Sequence, residues 1–241
     1  MNETEKYYNN LLVISGYFPT FFLLAPILLA CWKWKQLTLP LRFFFWFCFW
    51  LLVFNVLVLL FIWSYTEHQS FWKSYLGNWG IENVLFSRIV FYFNDFIFLG
   101  YSYFLVLLPN KSKRFHYLLI ALLCLLSCVI YVFVDGYQNY GSVGQIFKSV
   151  FVLIIVGICF WQLFTSKNTK HSIRKQPFFW INLGLLIPVA STILFESVGD
   201  LLFQNDFVVY CKWHILNNAI EILGQIFFII AFWKAKPLSR D

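Results

Sequence analysis

Residues 42–64 read RFFFWFCFWLLVFNVLVLLFIWS, and the 22 residues after Arg42 carry no formal charge. A helix crossing a bilayer core of about 30 Å needs about 20 mostly apolar residues. The stretch meets that requirement alone and sets the scale for the rest of the chain. Working outward from it, seven such runs emerge, at 8–32, 42–64, 84–108, 115–134, 145–165, 178–200 and 210–233. Charged or turn-rich links separate them, and too few residues remain between them for a soluble unit. The reading is an all-α polytopic membrane protein, seven transmembrane helices in a single domain over residues 1–241. The first run follows Met-Asn-Glu-Thr-Glu-Lys rather than a basic segment, so it is expected to be a retained span and not a signal peptide.

Composition agrees. The chain is 61% hydrophobic and 23% aromatic, but only 12% charged. A soluble domain is about 25% charged. These values exclude a soluble globular enzyme, a disordered chain and a collagen-like one. The net charge of +7 reads as topology, not as a nucleic-acid patch. Thirteen basic residues fall on one side: Lys33, Lys35 and Arg42; Lys111, Lys113 and Arg114; Lys167, Lys170, Arg174 and Lys175; Lys234, Lys236 and Arg240. The other side has Lys6, Lys73, Lys148 and Lys212. The positive-inside rule makes the first side cytoplasmic, with the N-terminus outside and the C-terminus inside. Trp32, Trp34, Trp72, Trp79, Trp213 and Trp233 near the expected interfaces suit an aromatic belt.

An internal repeat is also suggested. Asn94, Leu99 and Gly100 match Asn218, Leu223 and Gly224 at an offset of 124, and Phe44-Phe45-Trp46 matches Phe178-Phe179-Trp180 at an offset of 134. Three spans, a linker span and three more would form a parallel duplication. Chance matching in a Phe-rich chain is the alternative.

Charged groups inside the spans point to a site. A charge at mid-bilayer costs about 2.5–3.5 kcal/mol even on the lenient insertion scale, so Arg88, Asp95, Glu196 and Glu221 are expected to face the protein interior. His214, Asn218, Glu221 and Gln225 step by 4, 3 and 4 along one helix face. Arg88, Tyr92, Asp95 and Ser102 are expected to share another. At about 1.5 Å per residue, Arg88, Glu196 and His214 lie about 6 Å deep, and Asp95 and Glu221 about 16 Å deep. Two polar layers result: an outer one with an Arg88–Glu196 ion pair beside His214, and an inner one of Asp95, Asn218 and Glu221. If Asp95 and Glu221 approach one another, both cannot ionise cheaply. That suits proton coupling or a cationic ligand. The competing reading is interhelical hydrogen-bond glue. Pro19, Pro26 and Pro188 fall within spans and either kink a gate or are simply tolerated.

No catalytic constellation stands out, and the chain is not expected to be an enzyme. Intramembrane zinc chemistry needs about three converging ligands, and His214 is the one histidine well inside a span. No metal or cofactor is expected. The six cysteines read as small apolar core residues, with Cys211 alone near the outer side.

The segments Pro177–Leu186, Trp213–Asn218 and Ala231–Lys234 resemble those of uncharacterised seven-helix bacterial membrane proteins, most closely in the last two spans. The resemblance implies architecture and a bacterial inner membrane, not chemistry. More distantly, the plan is similar to that of sugar-efflux, opsin and receptor proteins. The Pro-Gln pair of the small sugar transporters is missing; Gln176-Pro177 has the reverse order. A receptor-like sensor is therefore the first expectation: it would bind a small ligand at Arg88, Tyr92, Asp95, Glu196, His214, Asn218 and Glu221, and signal through a separate cytoplasmic or membrane protein. A proton-coupled small-molecule transporter and a structural or assembly subunit are the alternatives.

Overall fold

The computed structural model describes residues 3–77, 88–135, 143–165 and 173–235. Residues 84–87 of the third expected span, Trp79, Lys167, Lys170, Lys236, Arg240 and the Asp200 side chain lie outside the described residues. Among the described residues there is no strand. Seven helices are long and apolar enough to cross a membrane. They are α1 (Glu3–Trp32), α2 (Leu39–Glu67), α3 (Arg88–Leu107), α4 (Lys113–Asp135), α5 (Val143–Thr165), α6 (Pro177–Asn205) and α7 (Phe207–Trp233). The chain is a multi-pass membrane protein with seven such spans.

Local chemistry fixes several boundaries. Pro40 and Pro177 open α2 and α6, where a missing N–H costs nothing. The Ser112 hydroxyl accepts from Phe115 N at the start of α4. The Asp206 carboxylate accepts from Val209 N at 3.0 Å, so one residue both ends α6 and caps α7. Within α1 the helix breaks at Leu23, between Phe22 and Leu24. Pro26 explains the break: it has no N–H to return to the Phe22 carbonyl four residues earlier. At the far end, Lys33 Nζ donates to the Trp233 carbonyl at 2.6 Å and lies over the Trp233 ring. A cation thus meets the negative end of α7 and ties the ends of α1 and α7 together.

Consecutive helices pack on one another, and α1 closes the ring against α7. The third helix is the most deeply buried of the seven. It reaches α2 through Asn94 and the Phe47 carbonyl, α5 through Phe96 and Phe151, and α6 through Tyr103 and Asn182. By contrast, α4 turns Leu118, Leu122 and Leu125 outward, one stripe at helical spacing, with Phe133 81% exposed beyond it. This is a lipid-facing side, where exposed apolar surface needs no cover.

The main apolar core lies toward the ends of the helices that carry most of the basic residues. It includes Ala30, Leu41, Phe44, Tyr103, Val156, Cys159, Phe178, Ile181 and Phe232. Phe44 meets Phe228 and Phe232 with ring centroids 4.9 and 5.8 Å apart. The closest helix approach is between α6 and α7. A Cβ on Gly184 would stand 2.6 Å from the Gly224 carbonyl oxygen, and one on Gly224 would stand 2.5 Å from the Gly184 carbonyl oxygen. Only glycine permits this backbone contact, the small-residue device that membrane helices use for tight association.

The two sets of matched repeat positions occupy different surroundings. Asn94 donates to a backbone carbonyl of α2, whereas Asn218 donates to the Ser15 hydroxyl of α1. Gly100 faces the Phe151 ring, whereas Gly224 lies on the backbone of Gly184.

Candidate functional site: a mid-membrane cavity

Six of the seven helices, all but α4, line a cavity of about 330 Å³. Its lining comes from the middle of the spans. Pro19 and Leu23 are on α1, Phe47 and Asn55 on α2, Asp95 on α3, Lys148 on α5, Pro188 and Thr192 on α6, and Asn218, Glu221 and Gln225 on α7. The volume is at the lower end of the range for small-molecule sites, about 300–1,000 Å³.

Asp95 does not pair with Glu221 in this arrangement. Its partner is Lys148, with Nζ 3.3 Å from Oδ2. Both side chains are largely withdrawn from solvent. Lys148 lies close enough to act electrostatically on Glu221 as well. The Glu221 carboxylate accepts from Asn217 Nδ2 on its own helix at 3.3 Å. Asn218 Nδ2 donates to Ser15 Oγ at 2.9 Å, and Gln225 Nε2 donates to the Pro19 carbonyl at 2.9 Å. Gln225 is only 6% exposed. Its Oε1 has no hydrogen-bond partner among the described residues.

On charge distribution alone, Lys148 belongs to the outer surface with Lys6, Lys73 and Lys212. The structure instead sets it against the mid-membrane carboxylate. A signal for this exists in the sequence: Lys148 lies three residues inside the expected 145–165 span, where an unpaired ammonium would be costly. Treating the residue only as a topology marker leaves it out of the expected site.

The outer layer separates from the cavity. Arg88, Tyr92, Glu196 and His214 are not among the cavity-lining residues. Arg88 and Glu196 both act electrostatically on Tyr92, so these three gather near the outer end of α3. Tyr92 packs with Phe96 and Tyr131. Its hydroxyl lies over Gly144, where a Cβ would come within 2.9 Å. Asp135, at the end of α4, accepts from Val143 N and Gly144 N at 3.1 and 2.8 Å and caps the start of α5. His214 sits elsewhere, with its ring centroid 4.4 Å from Phe195 and 5.3 Å from Tyr210.

The shared face expected for Arg88, Tyr92, Asp95 and Ser102 is also interrupted. Residues Asp95–Gly100 form a wider, π-helical turn within α3. Such a turn adds residues per revolution and rotates the remainder of the helix about its axis. Asp95 looks into the cavity, whereas Ser102 donates to the Pro40 carbonyl at 2.8 Å. The π-helical segment thus re-aims α3 at the carboxylate, a placement often found at functional sites.

Chemically, the cavity offers two carboxylates, one ammonium and amide groups among Phe47, Phe91, Leu185 and Phe228. Among the described residues, no three His, Cys, Asp or Glu side chains converge as a metal ion would need. A second groove of about 490 Å³ opens at the basic ends of α2, α3, α6 and α7, with Lys175 and Lys234 in its lining.

No family model, curated protein or solved structure matches the chain.

Proposed function

We propose that the chain is a receptor-like membrane sensor of the bacterial inner membrane, binding a small ligand in the mid-membrane cavity and signalling through a separate cytoplasmic protein. The observation that carries this reading is the contrast across the cavity floor. Above it, charged and amide groups converge on a space large enough for a small molecule. Below it, polar groups join helices instead: Ser102 bonds the Pro40 carbonyl, Tyr103 bonds Asn182 and Gln162 bonds the Leu107 carbonyl. The aromatic core packs that half shut in this arrangement, which suits a site that binds a ligand and passes nothing onward. The groove flanked by Lys175 and Lys234 offers the partner a basic face, suited to an acidic surface. Binding, not catalysis, is the role assigned to Asp95, Asn218 and Glu221, with Lys148 added to them.

Native mass spectrometry of the protein released from mild detergent tests this directly, wild type beside Glu221→Gln. The expected result is a small adduct in the wild type that the variant loses, with unfolding behaviour unchanged. An identical adduct pattern in both would remove Glu221 from the site. Flux of the identified compound into proteoliposomes would replace the sensor by a transporter.

A further inference from the structure

We infer that the cavity recognises an organic cation, its protonated amine held at the Glu221 carboxylate. This rests on the ligand-binding reading above and adds the chemical class of the ligand.

The charges in the lining do not balance. Asp95, Lys148 and Glu221 are its ionisable groups, and Lys148 is spent on Asp95 at 3.3 Å. The two carboxylates thus share one ammonium: Lys148 also acts on Glu221 from a distance, but Glu221 forms no ion pair with it and accepts from the neutral Asn217 amide. An anionic ligand would meet this carboxylate at short range in a medium that screens poorly. A cation would complete the charge balance.

Hydrogen-bonding capacity points the same way. Gln225 lies one helical turn beyond Glu221, so their side chains are neighbours on one face of α7. Its Nε2 is fixed on the Pro19 carbonyl, which sets which end of the amide remains available. That end is Oε1, an acceptor buried below the cavity surface and without a partner among the described residues, on a residue that lines the cavity. A buried acceptor left unmade is costly, and a ligand that supplies a donor recovers that cost. An ammonium carries three donors and no acceptor. It therefore suits a carboxylate with a second acceptor one turn away, which a carboxylate ligand does not. Phe47, Phe91 and Phe228 supply apolar walls for the rest of the molecule, and their ring faces attract cations.

The test uses the full chain in mild detergent and three probes of nearly one shape: 2-phenylethylamine, 2-phenylethanol and 3-phenylpropionate. Thermal unfolding against probe concentration gives an apparent Kd for each. The expected result is saturable stabilisation by the amine, at least tenfold tighter than by the alcohol, and none by the acid. Glu221→Gln should weaken amine binding tenfold or more, and Gln225→Met several-fold. Equal stabilisation by amine and alcohol in the wild type overturns the assignment, whatever the variants do. Preference for the acid, lost in Lys148→Met, also overturns it but leaves the cavity as a ligand site. Absence of binding by all three overturns it too; the adduct experiment above then decides separately whether the cavity binds anything.

Discussion

Toward the basic end of the bundle, the Tyr103 hydroxyl donates to Asn182, Ser102 donates to a carbonyl of α2, and Phe44 lies against two phenylalanines of α7. Midway across, Glu221 accepts from a neutral amide, and Gln225 Oε1 has no partner among the described residues. Both regions are built from the same six helices, all but α4, and both contain polar side chains in a medium that disfavours them. Asn182 Nδ2 also lacks a partner among the described residues, so the difference lies in the space beside the polar groups as well as in their partners. Where each one joins two helices, it is structural. Where donors and acceptors are left over around a space of about 330 Å³, they are available to something else. Counting polar residues in a span does not separate these cases, whereas accounting for their partners and the space beside them does.

The comparison can be broken most severely at Lys148. Lys148→Met leaves Asp95 as a buried unpaired carboxylate, and losing one partner of such a pair costs about 3–5 kcal/mol. Unfolding in mixed micelles should show that loss, and Asp95→Asn in the same chain should recover most of it. If the single variant is as stable as wild type, the pair holds nothing together and the cavity wall is not preorganised by it.

A smaller effect is expected where backbones touch. Gly184→Ala places a Cβ 2.6 Å from the Gly224 carbonyl oxygen. Overpacking of this kind costs about 1–3 kcal/mol, read as a lower unfolding midpoint. The α6–α7 crossing bears on both regions, because Gly184 and Pro188 line the cavity while Phe178 and Ile181 belong to the core. Ligand binding should weaken together with stability.

The smallest effect sharpens the contrast. Tyr103→Phe removes one interhelical hydrogen bond in the basic half, and such bonds average about 0.6 kcal/mol within membranes, with a maximum near 1.7. Stability should fall by about that amount, with binding at the cavity unchanged. A large loss of binding from this variant would mean that the two regions are not separate in function.

Particular residues show how far the sequence could be read. The spans were legible because apolar runs of about 20 residues have one cheap fate in a bilayer, a helix with all its backbone bonds internal. Asp95, Asn218 and Glu221 were legible as interior residues because charge in lipid is costly. Their partners were not. The expected meeting of Asp95 with Glu221 gives way to Asp95 with Lys148, because helical periodicity tells which residues share a face and not which faces meet. The outer layer separates for the same reason: Arg88, Tyr92 and Glu196 gather near one end of α3, while His214 packs in an aromatic group of α6 and α7.

The sequence alone therefore determined that this protein crosses a membrane seven times, which ends its charges mark as cytoplasmic, and that a few polar residues must turn inward. Each of these stems from a free energy of transfer that belongs to single residues or to short runs of them. The tertiary structure decided the rest: the Lys148–Asp95 pair, the backbone contact at Gly184 and Gly224, the π-helical turn that separates Asp95 from Ser102, and the unpartnered oxygen of Gln225. These depend on how helices distant in sequence come together, and so on pairwise distances that no one segment contains.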